Sequence, residues 1–310
     1  MRGLALSAVA GSVAAALLSP GLAAPPKPSS VPDSPAAVTA PGAALPAPAA
    51  PRLVLPVGPL DPGSYATGGC VAFGPTAGQR DRTVFLDAGH GGRDPGTVGV
   101  TAQGQPVPEK DLTLSVALET AQELRARGYR VALSRTTDDI GVPATRDGTD
   151  TGALDVADQR AQLSARARCA NLADAAALIS IHFNSFTDPQ VRGAETLYEP
   201  DRPFAEDNRR LATLLQRSIV RGYGEAGQPT PDRGTVGGPG AGEQTSSGDL
   251  IILGPSDGVN VVEPSAMPGA LIEPAFLTNP TDTALATSPA GRRTVARAIT
   301  LGVDEFLQRP

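Results

Sequence analysis

Thr83-Val84-Phe85-Leu86-Asp87 is a short, mostly apolar run with the composition of a strand. Beyond it Leu114, Ala117, Leu118, Ala121 and Leu124 recur on one helical face, Gly128 supplies a C-terminal stop, and residues 129–134 repeat the strand pattern. An unbroken apolar run suits a strand buried on both faces, and a period of 3.6 suits a helix packed over it. The alternation continues outward with a helix over 156–171, the strand Ala177-Leu178-Ile179-Ser180-Ile181, a strand over 194–198, and a helix over 204–223 that buries Leu211, Leu214, Leu215 and Ile219. After a glycine-rich loop, 250–253 and 270–272 read as strands and 294–307 as a closing helix. This order predicts a single α/β domain, a mostly parallel sheet covered by helices on both faces.

Ahead of that domain, Arg2 precedes an apolar, alanine-rich stretch over 4–18, then Gly21-Leu22-Ala23-Ala24 and Pro25. Residues 1–24 read as a secretory signal peptide. The run falls short of the roughly 18 apolar residues of a transmembrane helix, as does every later stretch. The expectation is a protein exported to the secreted, periplasmic or cell-wall space, with no cysteine near the cleavage point to carry a lipid. Residues 25–75 form a Pro/Ala-rich tether and entry segment; its Pro, Ala and Ser content buries too little apolar surface to offset ordering and favours an extended chain. Residues 76–310 remain as the catalytic domain, roughly 230 residues and one core.

The net charge of −6, with basic residues scattered, excludes the footprint of a nucleic-acid binder. There is no basic amphipathic helix for a membrane surface, and the absence of Trp argues against an aromatic platform for polysaccharide. No repeat or second module is visible, and a monomer is expected. The two cysteines, Cys70 and Cys169, are expected to form a disulfide in an oxidising compartment. It would pin the segment entering the domain to the helix before the Ala177 strand. Neither cysteine has the neighbours of a zinc-thiolate site.

The chain has only two histidines, and both follow strand patterns: His90 three residues past Asp87, His182 directly after Ile181. Glu273 follows Ala270-Leu271-Ile272 in the same way. Open α/β sheets bind ligands outside the carboxyl ends of their strands, so these groups converge on one edge. Each alone has a plainer explanation, a hydrogen-bonded histidine or a turn-closing glutamate before Pro274. A hydrolytic zinc takes three protein ligands from His and Asp or Glu, so two histidines require a carboxylate. Glu109, after Pro108 at a helix start, is best placed, although a helix N-terminus favours an acidic residue in any case. Asp87 and Asp94 are rivals, Asp87 being better suited to orienting a ligand from behind.

Four stretches then stand in register: Leu86-Asp87-Ala88-Gly89-His90-Gly91-Gly92-Arg93-Asp94-Pro95-Gly96, Glu109-Lys110-Asp111-Leu112, Ile179-Ser180-Ile181-His182-Phe183-Asn184, and Leu271-Ile272-Glu273-Pro274-Ala275-Phe276-Leu277-Thr278-Asn279. Together they resemble the zinc-dependent N-acetylmuramoyl-L-alanine amidases, over nearly the whole domain. The resemblance implies one zinc ion held by His90, Glu109 and His182, with Glu273 as the catalytic carboxylate. It also implies that residues 192–198 and 232–234 border a groove for peptidoglycan or its fragments, with Asn184 and Arg233 as substrate-binding candidates. Pro274 after the glutamate and Phe183 beside the second histidine depart from the family's pattern, and each is expected to reshape the groove. The implied reaction is hydrolysis of the amide between N-acetylmuramic acid and L-alanine, the metal activating water and polarising the carbonyl while Glu273 moves the proton. A zinc peptidase acting within the stem peptide would use the same parts, and a non-catalytic wall-binding protein could keep the fold. The Gly- and Ser-rich residues 234–248 are long enough for a lid over such a site and equally for a surface loop.

Overall fold

Strand β3 (Thr83–Ala88) is buried along its whole length and sends alternate residues to opposite faces of a sheet. The computed structural model describes residues 57–139, 156–237, 252–254 and 264–308, all in one compact unit. The expected signal peptide, residues 25–56 of the tether and entry segment, and residues 238–248 of the glycine-rich segment lie outside the described residues. In chain order the remaining elements are β1 (Gly58–Pro59), β2 (Gly69–Phe73), β4 (Val98–Val100), β5 (Pro106–Pro108), α1 (Glu109–Ala126), β6 (Arg130–Arg135) and α2 (Val156–Leu172). Then come β7 (Ala177–Ile181), β8 (Ala194–Tyr198), α3 (Ala205–Glu225), β9 (Asp232–Gly237), β10 (Gly269–Glu273), α4 (Pro280–Thr287) and α5 (Pro289–Gln308).

Eight strands form one sheet in the order β1-β2-β6-β3-β7-β10-β8-β9, with β4 and β5 paired as a separate hairpin. The central four, β6-β3-β7-β10, are parallel, and β1, β2 and β8 run antiparallel to their inner neighbours. Val84, Leu86, Ile179, Ile181, Ala270 and Ile272 face a core closed by α1, α3 and α5. Phe85, Ala132, Leu178 and Leu271 face the other way, against Ala167, Cys169 and Ala170 of α2. The two-sided burial explains the unbroken apolar runs of the central strands. Cys70 and Cys169 are joined, tying β2 to α2.

Several sequence expectations shift. Residues 58–73, assigned to the entry segment, contribute β1 and β2 to the sheet. Ile252 and Leu253 lie buried in a tight turn rather than in a strand, while Leu250 and Ile251 lie outside the described residues. The buried side of α1 is turned from the expected face: Leu112, Val116, Ala117, Thr120, Ala121 and Leu124 are buried, Leu114 and Leu118 only partly. The short helix α4 was hidden in a polar stretch; Asn279 caps it by accepting from the backbone N–H groups of Thr281 and Asp282, with Pro280 at the first helical position. No helix among the described residues is long and apolar enough to cross a membrane.

Candidate metal centre

Register places the three strand-end groups side by side. Ala88 and Ile181 are partners between β3 and β7, and Ile181 and Ile272 are partners between β7 and β10. His90, His182 and Glu273 therefore leave the same edge of the sheet. Glu109 arrives from the side, as the first residue of α1 after β5.

His90 Nε2 lies 3.1 Å from Glu109 Oε1, which lies 3.1 Å from His182 Nδ1, and the two ring nitrogens are 3.2 Å apart. Among the described residues this is the one group of three or more His, Cys, Asp or Glu side chains close enough to share a metal ion. Ligand atoms about 2.0–2.1 Å from a tetrahedral zinc are separated from each other by about 3.3 Å. The triangle fits that ion closely, and its His2Glu composition leaves a position open for chemistry.

Electrostatics at this point favour a cation. Burial alone would lower the His90 pKa, but the Glu109 and Asp94 carboxylates overcome it and raise it well above the usual histidine value. Glu109, which burial would raise, is held far below the carboxylate range by His90 and His182. Its Oε1 also accepts from the Phe183 N–H at 2.9 Å, and its Oε2 from the Thr97 N–H at 2.9 Å, so the carboxylate cannot rotate away.

Two glycines explain the small residues of the first stretch. A Cβ at Gly89 would stand 2.4 Å from His182 Cε1, and one at Gly96, which has φ of +63°, would stand 2.6 Å from both Glu109 Oε2 and His90 Cδ2. The ligand rings and carboxylate occupy the space that side chains would need. His90 itself has φ of +59°, a left-handed conformation that costs a non-glycine residue about 1–2 kcal/mol.

The two rival carboxylates, Asp87 and Asp94, stand outside the triangle and have distinct places. Asp94 Oδ2 lies 2.8 Å from His90 Nδ1 and orients that ring, the part expected of Asp87. Asp87 instead accepts from Arg166 Nη1 at 2.7 Å and from Ser180 at 2.8 Å, and although burial raises its pKa, Arg166 holds it below the usual value. Arg166 and the wholly buried Arg135 both send their guanidiniums to the His90 loop. Burial pushes the Arg135 pKa down to about 10, with the Arg166 charge adding to the effect. Neither arginine was singled out from the sequence, because nothing in the residue pattern separates a buried arginine from a solvated one.

Of the two substrate-binding candidates, Asn184 is buried, its Nδ2 donating to Glu195 Oε2 at 3.3 Å. Arg233 is partly exposed, with its guanidinium 5.0 Å above the Phe276 ring and its Nε 3.8 Å from Glu195 Oε1. Glu195 is the cross-strand partner of Glu273. Phe183 is buried in the core, where its bulk is absorbed by packing. Pro274 is buried also.

Comparison with known proteins gives a consistent answer. The family described as N-acetylmuramoyl-L-alanine amidase matches residues 84–305. A germination-specific N-acetylmuramoyl-L-alanine amidase of Bacillus subtilis is 29% identical over 226 residues, 73% of this chain and 79% of that protein. The amidase AmiC of Neisseria meningitidis is 27% identical, over 74% of this chain and 53% of its own length. The crystal structure of an N-acetylmuramoyl-L-alanine amidase from Clostridium difficile 630 superposes with a TM-score of 0.53 at 27% identity, covering 74% of this chain and 97% of that one.

Proposed function

The chain belongs to the N-acetylmuramoyl-L-alanine amidase family, and from that premise we propose that it cleaves the amide between N-acetylmuramic acid and L-alanine at a single zinc held by His90, Glu109 and His182. The observation that carries the zinc assignment is the triangle of 3.1, 3.1 and 3.2 Å between the three ligand atoms. The family and its relatives support peptidoglycan amide hydrolysis in cell-wall remodelling. Export to the wall space follows from the substrate and from the signal-like residues 1–24.

Zinc bound there would supply Lewis acidity, polarising the scissile carbonyl and bringing a water's pKa toward 7. The chain's own residues do the rest. Asp94 keeps the His90 ring turned with Nε2 toward the site, and the Phe183 and Thr97 N–H groups fix the Glu109 carboxylate. Glu273, leaving the sheet beside His182, takes a proton from the attacking water and returns it to the departing L-alanine amine. Arg233, stacked on Phe276 and facing Glu195, and Asn184, through its hold on Glu195, shape the groove that receives the stem peptide.

Glu273→Gln and His182→Ala test the division of roles. The Gln variant keeps one zinc and loses turnover by about 100-fold or more; the Ala variant loses both metal and turnover. Wild-type turnover in Glu273→Gln would remove the proton-transfer assignment.

A further inference from the structure

Among the described residues Arg135 is the largest side chain with no exposed surface, and no carboxylate among them forms a salt bridge with it. Burying a guanidinium is unfavourable unless its donors are all engaged, and these are engaged by the metal-ligand segments. Nε donates to the Ala88 carbonyl at 3.0 Å; Nη2 donates to the carbonyls of Gly89 at 3.0 Å and Lys110 at 2.8 Å and to Thr113 Oγ1 at 3.1 Å; Nη1 donates to the Thr137 carbonyl at 2.9 Å. Arg166 approaches from α2. It donates to the Ala88 and His90 carbonyls, each at 2.6 Å, and to Asp87 Oδ1.

Three consecutive carbonyls of the His90 loop are thus each held by a guanidinium. Arg135 spans from that loop to Lys110, the residue after Glu109. Arg166 reaches, through Asp87, to Ser180, two residues before His182. His90 is thus tied to the Glu109 segment through Arg135 and to the His182 strand through Arg166. The loop needs such support, since His90 and Gly91 both have positive φ and Gly91 lies directly beneath the Arg135 side chain, where a Cβ would stand 3.0 Å from Nε.

We propose that Arg135 and Arg166 are positioning residues that set the spacing of the three metal ligands, acting on backbone carbonyls and touching neither metal nor substrate. This rests on the zinc reading above. Lysine carries the same charge but one nitrogen, so it cannot reproduce Arg135's span between two segments or Arg166's fork between Asp87 and the loop.

The test is zinc affinity by chelator competition, together with the absorption spectrum of the cobalt-substituted protein, for wild type, Arg135→Lys, Arg166→Lys and Arg166→Met. Circular dichroism and thermal midpoints are measured on the zinc-free forms. Expected are a loss of about 10- to 100-fold in zinc affinity, a changed cobalt spectrum, and Met weaker than Lys at position 166, in variants whose zinc-free fold is retained. Should Arg135→Lys not fold, the Arg166 pair decides alone. Zinc affinity within threefold of wild type in the folded variants overturns the proposal, and so does a loss of affinity that only tracks unfolding of the zinc-free protein. A wild type that binds no zinc overturns instead the metal reading on which the proposal rests.

Discussion

Replacing Gly89 with alanine adds one methyl group at the point where the structure leaves no room for it. The new Cβ would lie 2.4 Å from His182 Cε1, 2.5 Å from Nε2 and 2.8 Å from Nδ1, against an ordinary contact of 3.4 Å or more. Gly89 does not have positive φ, so backbone strain does not confuse the result. The ring or the loop must give by about 1 Å, while metal–ligand distances tolerate only about 0.2 Å. His182 is buried and its Nδ1 is one corner of the ligand triangle, so the displacement falls on the metal centre. Overpacking should cost about 1–3 kcal/mol of fold stability, lowering the thermal midpoint by about 2–4 °C per kcal/mol in a domain of this size. Zinc affinity should fall by about 100-fold or more, beyond the range seen for groups behind the ligands, and turnover at saturating zinc by about 100-fold, the usual consequence of a 1 Å misplacement. Chelator competition and steady-state kinetics read these, with Gly224→Ala as the control: in α3 an added Cβ there meets nothing within 4 Å, and the midpoint should stay level or rise. Wild-type zinc affinity and turnover in Gly89→Ala would refute the placement of the His182 ring.

The disulfide and the Asp304 carboxylate give further tests. Replacing both Cys70 and Cys169 with alanine opens a loop spanning 99 residues in sequence; the chain-entropy model gives about 4–5 kcal/mol for its closure, or about 10–15 °C in the midpoint by calorimetry. A shift under about 2 °C would contradict a stabilising role. Asp304 accepts from the buried Tyr129 hydroxyl at 2.7 Å and from Arg127 at 3.0 Å. Burial raises its pKa, but the Tyr129 hydrogen bond, Gln308, Arg80 and Arg127 together bring it below the usual 3.8. A carboxyl depressed on folding stabilises fully above its unfolded pKa and loses that contribution as pH falls through the lower folded value. Asp304→Asn should therefore be less stable than wild type by about 1 kcal/mol at neutral pH, and the gap should close below about pH 3.8; a gap constant down to pH 2 would contradict it.

The sequence carried the central sheet plainly because β3, β7 and β10 are buried on both faces, and two-sided burial demands unbroken apolar residues. It carried His90, His182 and Glu109 because histidines are scarce in this chain and their neighbours match a family. The hairpin β4–β5 was not visible, since Val98-Gly99-Val100 and Pro106-Val107-Pro108 are short and partly exposed, and the second begins and ends in proline. β2 was hidden in a segment whose composition was set by its proline-rich approach, and its strand character comes from pairing with β6. At 250–253, Ile252 and Leu253 are buried by tertiary contacts with the α2 side of the sheet, so apolarity there signals burial without a strand. The two arginine clamps were beyond a one-dimensional reading, because they depend on which carbonyls the His90 loop presents to residues about 45 and 76 positions away in sequence, Arg135 and Arg166.

The most direct test of the account is zinc content and product release on one preparation: a muramyl dipeptide or tripeptide incubated with and without chelator, products identified by mass spectrometry. About one zinc per chain and chelator-sensitive release of the intact di- or tripeptide, with L-alanine at its N-terminus, are predicted. A zinc-bound protein that leaves the lactyl–alanine bond intact while trimming the stem peptide would contradict it in favour of a peptidase, and a metal-free, inert protein would contradict it in favour of a wall-binding module.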